Sequence, residues 1–366
     1  MYIPIIKTGE AEIRAITKFT PTMMDGIIPI IELTRGRQKT IDSDGEKKVT
    51  YPFEKRLEKV KETLKGRTVF FDLTADEGLL SNEIYSLYDY KDGYKHWIEF
   101  ITGNIGELGF GKVIPAILFN WDDENFEENF KQQLESLSKF CNAVMYRTSL
   151  QTKDCYDELP IIIKYLPEEC RLWIVLDGGY LHESAVVLAY NRCKKRIQNI
   201  RERILGNQNV KFVVAVTSYP DRAYNYGDDV PIVINHSEVL LYDRLYQDFP
   251  DIVYGDYAGI NPIRNDLVTM ARGWIPRMDI PLKEKTKVYW KRRPKGVTEY
   301  KRTYIRLAEE VVNDIEFPYN LHEEWGIEEI MSCAEGYVNS SAPGFWISVR
   351  MYNHIFQQLK RLEEIR

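Results

Sequence analysis

The chain has 366 residues, with 49 basic and 55 acidic side chains, a formal net charge of −6 and 44% hydrophobic residues. This composition is typical of a globular protein and excludes collagen-like and wholly disordered chains. No run of about 18 uncharged apolar residues occurs, so no membrane-spanning helix is expected. The N-terminus lacks the pattern of a signal peptide. Five cysteines without a Cys-x-x-Cys pair indicate reduced thiols, and we therefore expect a cytoplasmic protein.

Short apolar, β-branched runs recur along the chain, with amphipathic helical stretches between them. Each run is nearly continuous in apolar character, which is typical of strands buried on both faces of a parallel sheet. The eight predicted strands are 2–6, 27–33, 68–73, 113–119, 143–148, 172–176, 211–217 and 252–257.

The spacing of these strands favours a (β/α)8 TIM-barrel-like domain, because their starts lie 25 to 45 residues apart and each gap holds a return helix. An open doubly wound sheet is the alternative. A dinucleotide-binding sheet would have Gly-x-Gly-x-x-Gly after the first strand, where this chain has Lys7-Thr8-Gly9-Glu10-Ala11. We therefore predict a barrel over residues 1–262.

Residues 263–366 form a predicted C-terminal α+β appendage packed on the barrel. Its elements are two short strands at 274–277 and 287–290, and helices at about 300–313, 323–333 and 347–366. The polar, glycine-punctuated segment 34–48 after the second strand is interpreted either as a functional loop or as a solvated insertion.

The side chains at the ends of the strands are the candidate site, because the strand carboxyl ends of a barrel meet at one mouth. The carboxylates are predicted to bind a divalent cation such as Mg²⁺ or to act as general bases, and the cationic, amide and phenol groups to bind a ligand. The alternatives are buried ion pairs without catalysis, or an acid–base pair acting on a sugar. The candidate catalytic residues are Glu32, Asp72, Asp177 and Asp256, and the candidate ligand-binding residues are Lys7, Asn120, Arg147 and Tyr257.

A basic segment runs from Lys283 to Arg306, with ten basic residues against two acidic ones and interleaved aromatic residues. This pattern is compatible with a nucleic-acid or partner interface, although an ordinary solvated face has the same character. The residues that would contact the partner are Lys291, Arg292, Arg293 and Lys295.

Metal and nucleophile motifs are missing from the sequence. The five histidines are far apart, so no zinc site is predicted, and the identity of any metal stays open. Trp346 and His354 are about two helical turns apart and would share one helix face, as a core tryptophan and a hydrogen-bonded histidine.

Several stretches together resemble the "beta protein" family of bacteria and phages. They are Tyr2-Ile3-Pro4-Ile5-Ile6-Lys7, Ile28-Pro29-Ile30-Ile31-Glu32, Val253-Tyr254-Gly255-Asp256-Tyr257 and Gly344-Phe345-Trp346 with Asn353-His354. The resemblance implies a barrel-like protein whose gene lies near phage-defence or mobile-element genes. It also implies an antiviral role together with a protein partner encoded nearby. The family's second histidine after Asn-His is replaced here by Ile355.

We expect a component of a bacterial anti-phage system that senses or processes a nucleotide or nucleic acid at the barrel mouth, with no membrane association. If the chain is an enzyme, a hydrolase or phosphodiesterase is the first expectation. The alternative is a non-catalytic regulatory or scaffold subunit that docks a nuclease or toxin.

Overall fold

The computed structural model describes most of the chain. The described residues are 1–36, 38–43, 46–50, 52–106, 109–151, 158–204, 209–221, 231–263, 273–294 and 296–365, with only the backbone described for 41–43 and 46–48. The strands in this part are β1 (Tyr2–Lys7), β2 (Ile30–Leu33), β3 (Lys39–Ser43), β4 (Glu46–Thr50), β5 (Thr68–Leu73), β6 (Lys112–Pro115), β7 (Ala143–Ser149), β8 (Arg171–Tyr180), β9 (Val210–Thr217), β10 (Ile232–Asn235), β11 (Val253–Asp256), β12 (Arg277–Pro281) and β13 (Lys285–Trp290).

Helices connect the strands of the sheet. In chain order they are α1 (Glu10–Ile16), α2 (Pro21–Gly26), α3 (Glu54–Thr63), α4 (Asn82–Leu87), α5 (Lys91–Thr102), α6 (Phe126–Phe140), α7 (Glu158–Tyr165), α8 (Val186–Arg203), α9 (Ser237–Asp248), α10 (Lys301–Val312), α11 (Trp325–Ala334) and α12 (Pro343–Ile365). No described helix is long and apolar enough to cross a lipid bilayer.

The central feature is a nearly closed, barrel-like sheet of eight parallel strands. Its order is β6-β5-β2-β1-β11-β9-β8-β7, so the strands follow one another around the sheet in chain order. Its two outer strands, β6 and β7, approach each other at a single parallel bridge between Ala116 and Met145. Each of the eight predicted strands overlaps an observed one, but β2 begins at Ile30 and not at 27, β6 ends at Pro115 and not at 119, and β8 extends to Tyr180, beyond its predicted end.

Large side chains fill the interior of this sheet, because every second residue of each strand points inward. Phe70 of β5 meets Trp173 of β8 across the interior with ring centroids 5.3 Å apart and an edge-to-face angle of 88°. Both side chains are buried. The interior is therefore a packed core below the polar mouth.

Two further sheets lie outside the barrel-like one. β3 and β4 form an antiparallel hairpin that takes up much of segment 34–48, which the sequence analysis treats as a loop, and extends beyond it to Thr50. β12 and β13 pair with β10, a strand from the connection between β9 and α9 that the sequence analysis does not predict. The strand predicted at 274–277 is displaced: β12 spans Arg277–Pro281 and shares only Arg277 with the prediction, and Pro276, which has no N–H to donate, lies just before it. β13 begins at Lys285, two residues before the predicted start.

Helix α12 joins the C-terminal elements to the barrel. Its first half, with Trp346 and Val349, belongs to an apolar core formed with α10, α11 and the three-stranded sheet. Its second half, with Tyr352 and Ile355, belongs to the barrel core. The three C-terminal helices expected from the sequence are therefore present.

Phe70→Ala tests the interior packing. Truncating a buried aromatic side chain leaves a cavity, and we expect the free energy of unfolding to fall by about 3–5 kcal/mol. The measurement is urea unfolding followed by circular dichroism. Phe140→Ala is the matched control, because Phe140 is 61% exposed and its loss should change stability by less than about 0.5 kcal/mol. Equal losses in the two variants would contradict the packed interior.

Candidate functional site

The register of the first three barrel strands brings three charged side chains together. Lys7 lies beside Glu32 in the pairing of β1 with β2, and Glu32 lies beside Asp72 in the pairing of β2 with β5. Laterally paired residues project to the same face of a sheet, and here this is the inner face at the strand carboxyl ends. The Lys7 ammonium donates to Glu32 Oε1 at 2.6 Å.

Arg147 of β7 reaches the same group from the other side of the barrel. Its NH1 donates to Glu32 Oε2 at 2.9 Å and to Asp72 Oδ2 at 2.7 Å. The side chain is 18% exposed, compared with 4% for Glu32. Arg147 therefore lies between two carboxylates and still faces the opening of the barrel.

Asp177 and Tyr257 complete the group, which we name the mouth network: Lys7, Glu32, Asp72, Arg147, Asp177 and Tyr257. Arg147 donates from Nε and NH2 to Asp177 Oδ2 at 3.0 and 2.8 Å. The Tyr257 hydroxyl donates to Asp177 Oδ1 at 2.6 Å and lies 3.1 Å from Arg147 NH2. The guanidinium is thus bonded to three carboxylates.

The surroundings of Glu32 and Asp72, which lie on neighbouring strands, shift the pKa values of the two carboxylates in opposite directions. Burial opposes the ionisation of Glu32, but the charges of Arg147 and Lys7 outweigh it and lower the pKa of Glu32 to about 2. Burial dominates at Asp72 and, with the nearby Glu32 charge, raises its pKa despite Arg147. Glu32 is therefore a fixed anion, whereas Asp72 is the member that accepts a proton most readily.

The sequence analysis did not identify Tyr88, which borders this network. Its hydroxyl donates to the Thr74 carbonyl at 3.1 Å. Burial, together with the charges of Asp72 and Glu32, raises the pKa of Tyr88 and keeps it a neutral phenol. Tyr88 directly follows α4 and belongs to no sequence motif, so no signal in the chain points to it.

Two of the predicted site residues lie apart from the mouth network. Asp256 pairs laterally with Pro4. Pro4 and Lys7 are three residues apart on β1 and therefore point to opposite faces, so the Asp256 side chain points to the outer face of the barrel. There it bonds to Tyr2, Tyr254 and His354. Asn120 accepts from the N–H of Asp122 at 3.1 Å in the turn after β6.

The basic segment is largely neutralised by acidic neighbours within the chain. Lys283, Lys287 and Lys291 form ion pairs with Glu364, Asp314 and Glu310, respectively.

Arg293 donates to the carbonyls of Val297 and Thr298 and stacks on Tyr300. Arg292 also has a bonded or electrostatic neighbour, and Lys295 lies outside the described residues. The segment is therefore not a continuous unpaired cationic face.

Comparison with known proteins identifies the sequence family. A sequence model of the family described as Beta protein matches residues 2–360. Protein beta of Enterobacteria phage P4 is 23% identical over 377 aligned positions, which cover 100% of this chain and 94% of the phage protein.

Glu32→Gln and Asp72→Asn test the unequal environments of the two carboxylates. We expect Glu32→Gln to lower the free energy of unfolding at pH 7 by about 3–5 kcal/mol, because it breaks a buried ion pair. We expect a smaller loss for Asp72→Asn, because burial already disfavours its charge.

The pH dependence provides the second readout. The pKa of Glu32 is lower in the folded chain than its ordinary value of 4.5. The contribution of ionised Glu32 to the free energy of unfolding is therefore complete above pH 4.5 and is lost as the pH falls towards about 2. The stability difference between wild type and Glu32→Gln should shrink between pH 5 and pH 3, as measured by urea unfolding. A difference that stays constant with pH would contradict the assignment.

Proposed function

The chain belongs to the Beta protein family, and from this premise we propose that it is a (β/α)8 barrel that binds a phosphate-bearing ligand, a nucleotide or nucleic acid, at its mouth. The observation that carries the proposal is the Arg147 guanidinium, which is bonded to three carboxylates in a side chain that is 18% exposed at the mouth. The strand order, which follows the chain around the sheet, supports the TIM-type barrel. Ligand sites of such barrels lie at the carboxyl ends of the strands.

Binding would proceed by exchange of partners at Arg147. Guanidinium groups favour two parallel bonds to a phosphate, the same geometry that they form with a carboxylate. Asp177 is the most exposed of the three carboxylates around Arg147, at 15%, so it is the partner that a ligand would displace. Lys7 would add a second positive charge near the ligand.

The charge balance indicates what must accompany the phosphate. With all groups ionised, two cations face three carboxylates, and a phosphate would add further negative charge. A divalent cation such as Mg²⁺, bound to Asp72 or Asp177 together with the ligand, would compensate it.

The mouth network also supports acid–base chemistry. Asp72, with its raised pKa, would protonate the leaving oxygen of a phosphodiester, and Asp177, the most exposed carboxylate, would accept the proton of the attacking water. If the mouth turns over its ligand, hydrolysis of a phosphodiester is the reaction that this pair supports best.

The biological setting proposed here is cytoplasmic anti-phage defence together with a protein partner encoded nearby. The match to a protein of phage P4 supports an association with phages. The division into a barrel over 1–262 and a C-terminal appendage over 263–366 is likewise part of the proposal, and β10 would be the barrel segment that joins the appendage sheet.

A regulatory or scaffold subunit that docks a nuclease or toxin is the second candidate. The observation that favours it is that the hydrogen-bond donors of Arg147 already have partners within the chain, namely three carboxylates and Tyr257. A mouth closed by its own ion pairs would stabilise a barrel without turnover.

Arg147→Gln tests the binding proposal. Pyrophosphate, ATP and a short single-stranded oligonucleotide are titrated calorimetrically, each with and without Mg²⁺. Because a charge-assisted hydrogen bond contributes about 1.5–3 kcal/mol, we expect binding of at least one probe to weaken by about 10- to 100-fold in the variant. Arg147→Lys should retain part of the affinity, since the charge remains.

Arg171→Gln is the matched control. Arg171 is at the opposite end of β8 and bonds to Asn209, so its loss should leave binding unchanged. If no probe binds to the wild type, or if Arg147→Gln binds equally well, the ligand proposal is wrong. A stoichiometric protein partner that is retained by Arg147→Gln would then favour the docking subunit.

A further inference from the structure

A second buried polar cluster lies on the outer face of the barrel, beneath two helices. His236 immediately precedes α9, Glu238 is in the first turn of α9, and His354 is in α12. One ligand-type atom from each side chain lies within 4.8 Å of those of the other two. The three residues are only 2%, 3% and 1% exposed.

The surrounding hydrogen bonds orient these groups. His354 Nε2 lies 2.7 Å from Asp256 Oδ2, and Asp256 also accepts from Tyr254 and the Ala258 N–H. With Nε2 committed to Asp256, Nδ1 is the remaining ligand atom of His354. It is buried and has no hydrogen-bond partner among the described residues.

The other two members are oriented in a similar way. His236 Nε2 lies 2.8 Å from Thr286 Oγ1, and its Nδ1 lies 3.3 Å from the Lys283 carbonyl oxygen, so a metal ion would replace one of these two partners. Glu238 Oε2 accepts from the Ser218 N–H at 2.8 Å.

We propose that His236, Glu238 and His354 bind a divalent transition-metal ion, with Zn²⁺ as the first choice. Two imidazoles and one carboxylate are a ligand set that suits Zn²⁺ and also Fe²⁺. Bonds of about 2.0–2.2 Å would require the three ligand atoms to approach one another by roughly 1 Å when the ion binds. An imidazole that is hydrogen-bonded through its other nitrogen to a carboxylate is the common arrangement around protein-bound zinc.

The burial of the cluster makes this ion structural. It would tie α9 and α12 to the outer face of β11 through Asp256. A groove of about 910 Å³, lined by residues that include His236, Lys283 and Gln357, borders the cluster and provides a route for the ion. Asp256 acts as a positioning residue in this assignment.

The decisive measurement is the metal content of the wild-type chain, purified through a tag without histidine and without chelator. Mass spectrometry for zinc, iron and manganese should give about one ion per chain. Removal with a strong chelator should lower the unfolding temperature, and Zn²⁺ should restore it. Co²⁺ added to the stripped protein should give visible absorption bands of a nitrogen- and oxygen-ligated site.

Variants then assign the ligands. His354→Gln and Glu238→Gln should reduce the metal content at least tenfold, and Asp256→Asn should weaken metal affinity about 10- to 100-fold, as loss of an orienting partner does. His182→Gln is the matched control, because exposed His182 bonds only to Ser184 among the described residues.

The wild-type protein decides the question even if a variant fails to fold. A wild-type chain with less than a tenth of an equivalent of any metal, no Co²⁺ bands and no thermal shift on adding Zn²⁺ would overturn the proposal. Metal content that persists in both His354→Gln and Glu238→Gln would place the ion elsewhere and overturn it equally.

Discussion

The inward and outward alternation of side chains around the barrel is the constraint on which both polar clusters depend. Lys7, Glu32 and Asp72 stand side by side because their strands pair in a register that keeps one parity. The same parity brings Arg147 and Asp177 to the inner face. A one-residue slip in any pair would turn a charged side chain away from its partners in the mouth and into the layer between sheet and helices. The ion pairs and the strand register therefore enforce each other.

The charges of the mouth network are stable only as a group. Burial opposes ionisation of both Arg147 and Glu32. Arg147 is kept charged chiefly by Asp177, and Glu32 is kept charged by Arg147 and Lys7. Removal of one member would leave a buried charge without compensation, which costs more than the intact pair contributes. The same dependence links the stability of the network to the ligand binding proposed for it. In the proposed function a ligand would take over one bond of Arg147 and release a carboxylate, and Asp177 and Arg147, at 15% and 18% exposure, are the members nearest to solvent. Stability and ligand exchange thus involve the same bonds, which is why the two candidate functions share one geometry.

The sequence predicts the strands of the barrel well and the direction of its side chains poorly, for one physical reason. Strands buried on both faces are apolar throughout, so periodicity locates them but does not show which residues point inward. Asp256 and Tyr257 illustrate this, since both end the last strand but only Tyr257 reaches Arg147. The outer cluster was missed because its members are distant in sequence. A signal for it does exist: Glu238 lies in line with Leu241 and Leu245 on the buried face of α9, where a carboxylate needs a partner.

The end of β11 connects the two clusters. Asp256 holds His354 on the outside and its neighbour Tyr257 bonds to Asp177 on the inside, so a single peptide unit separates the two sets of hydrogen bonds. The chain then turns through Ala258 and Gly259, both with positive φ, at 53° and 71°. A side chain at Gly259 would come within 3.2 Å of His354 Cβ, so glycine is required there for close approach as well as for conformation. Left-handed backbone at Ala258 costs about 1 kcal/mol, and the Ala258 N–H offsets it by donating to Asp256. The turn is therefore held by the carboxylate that orients His354, and the outer cluster supports the strand end that positions Tyr257 in the mouth.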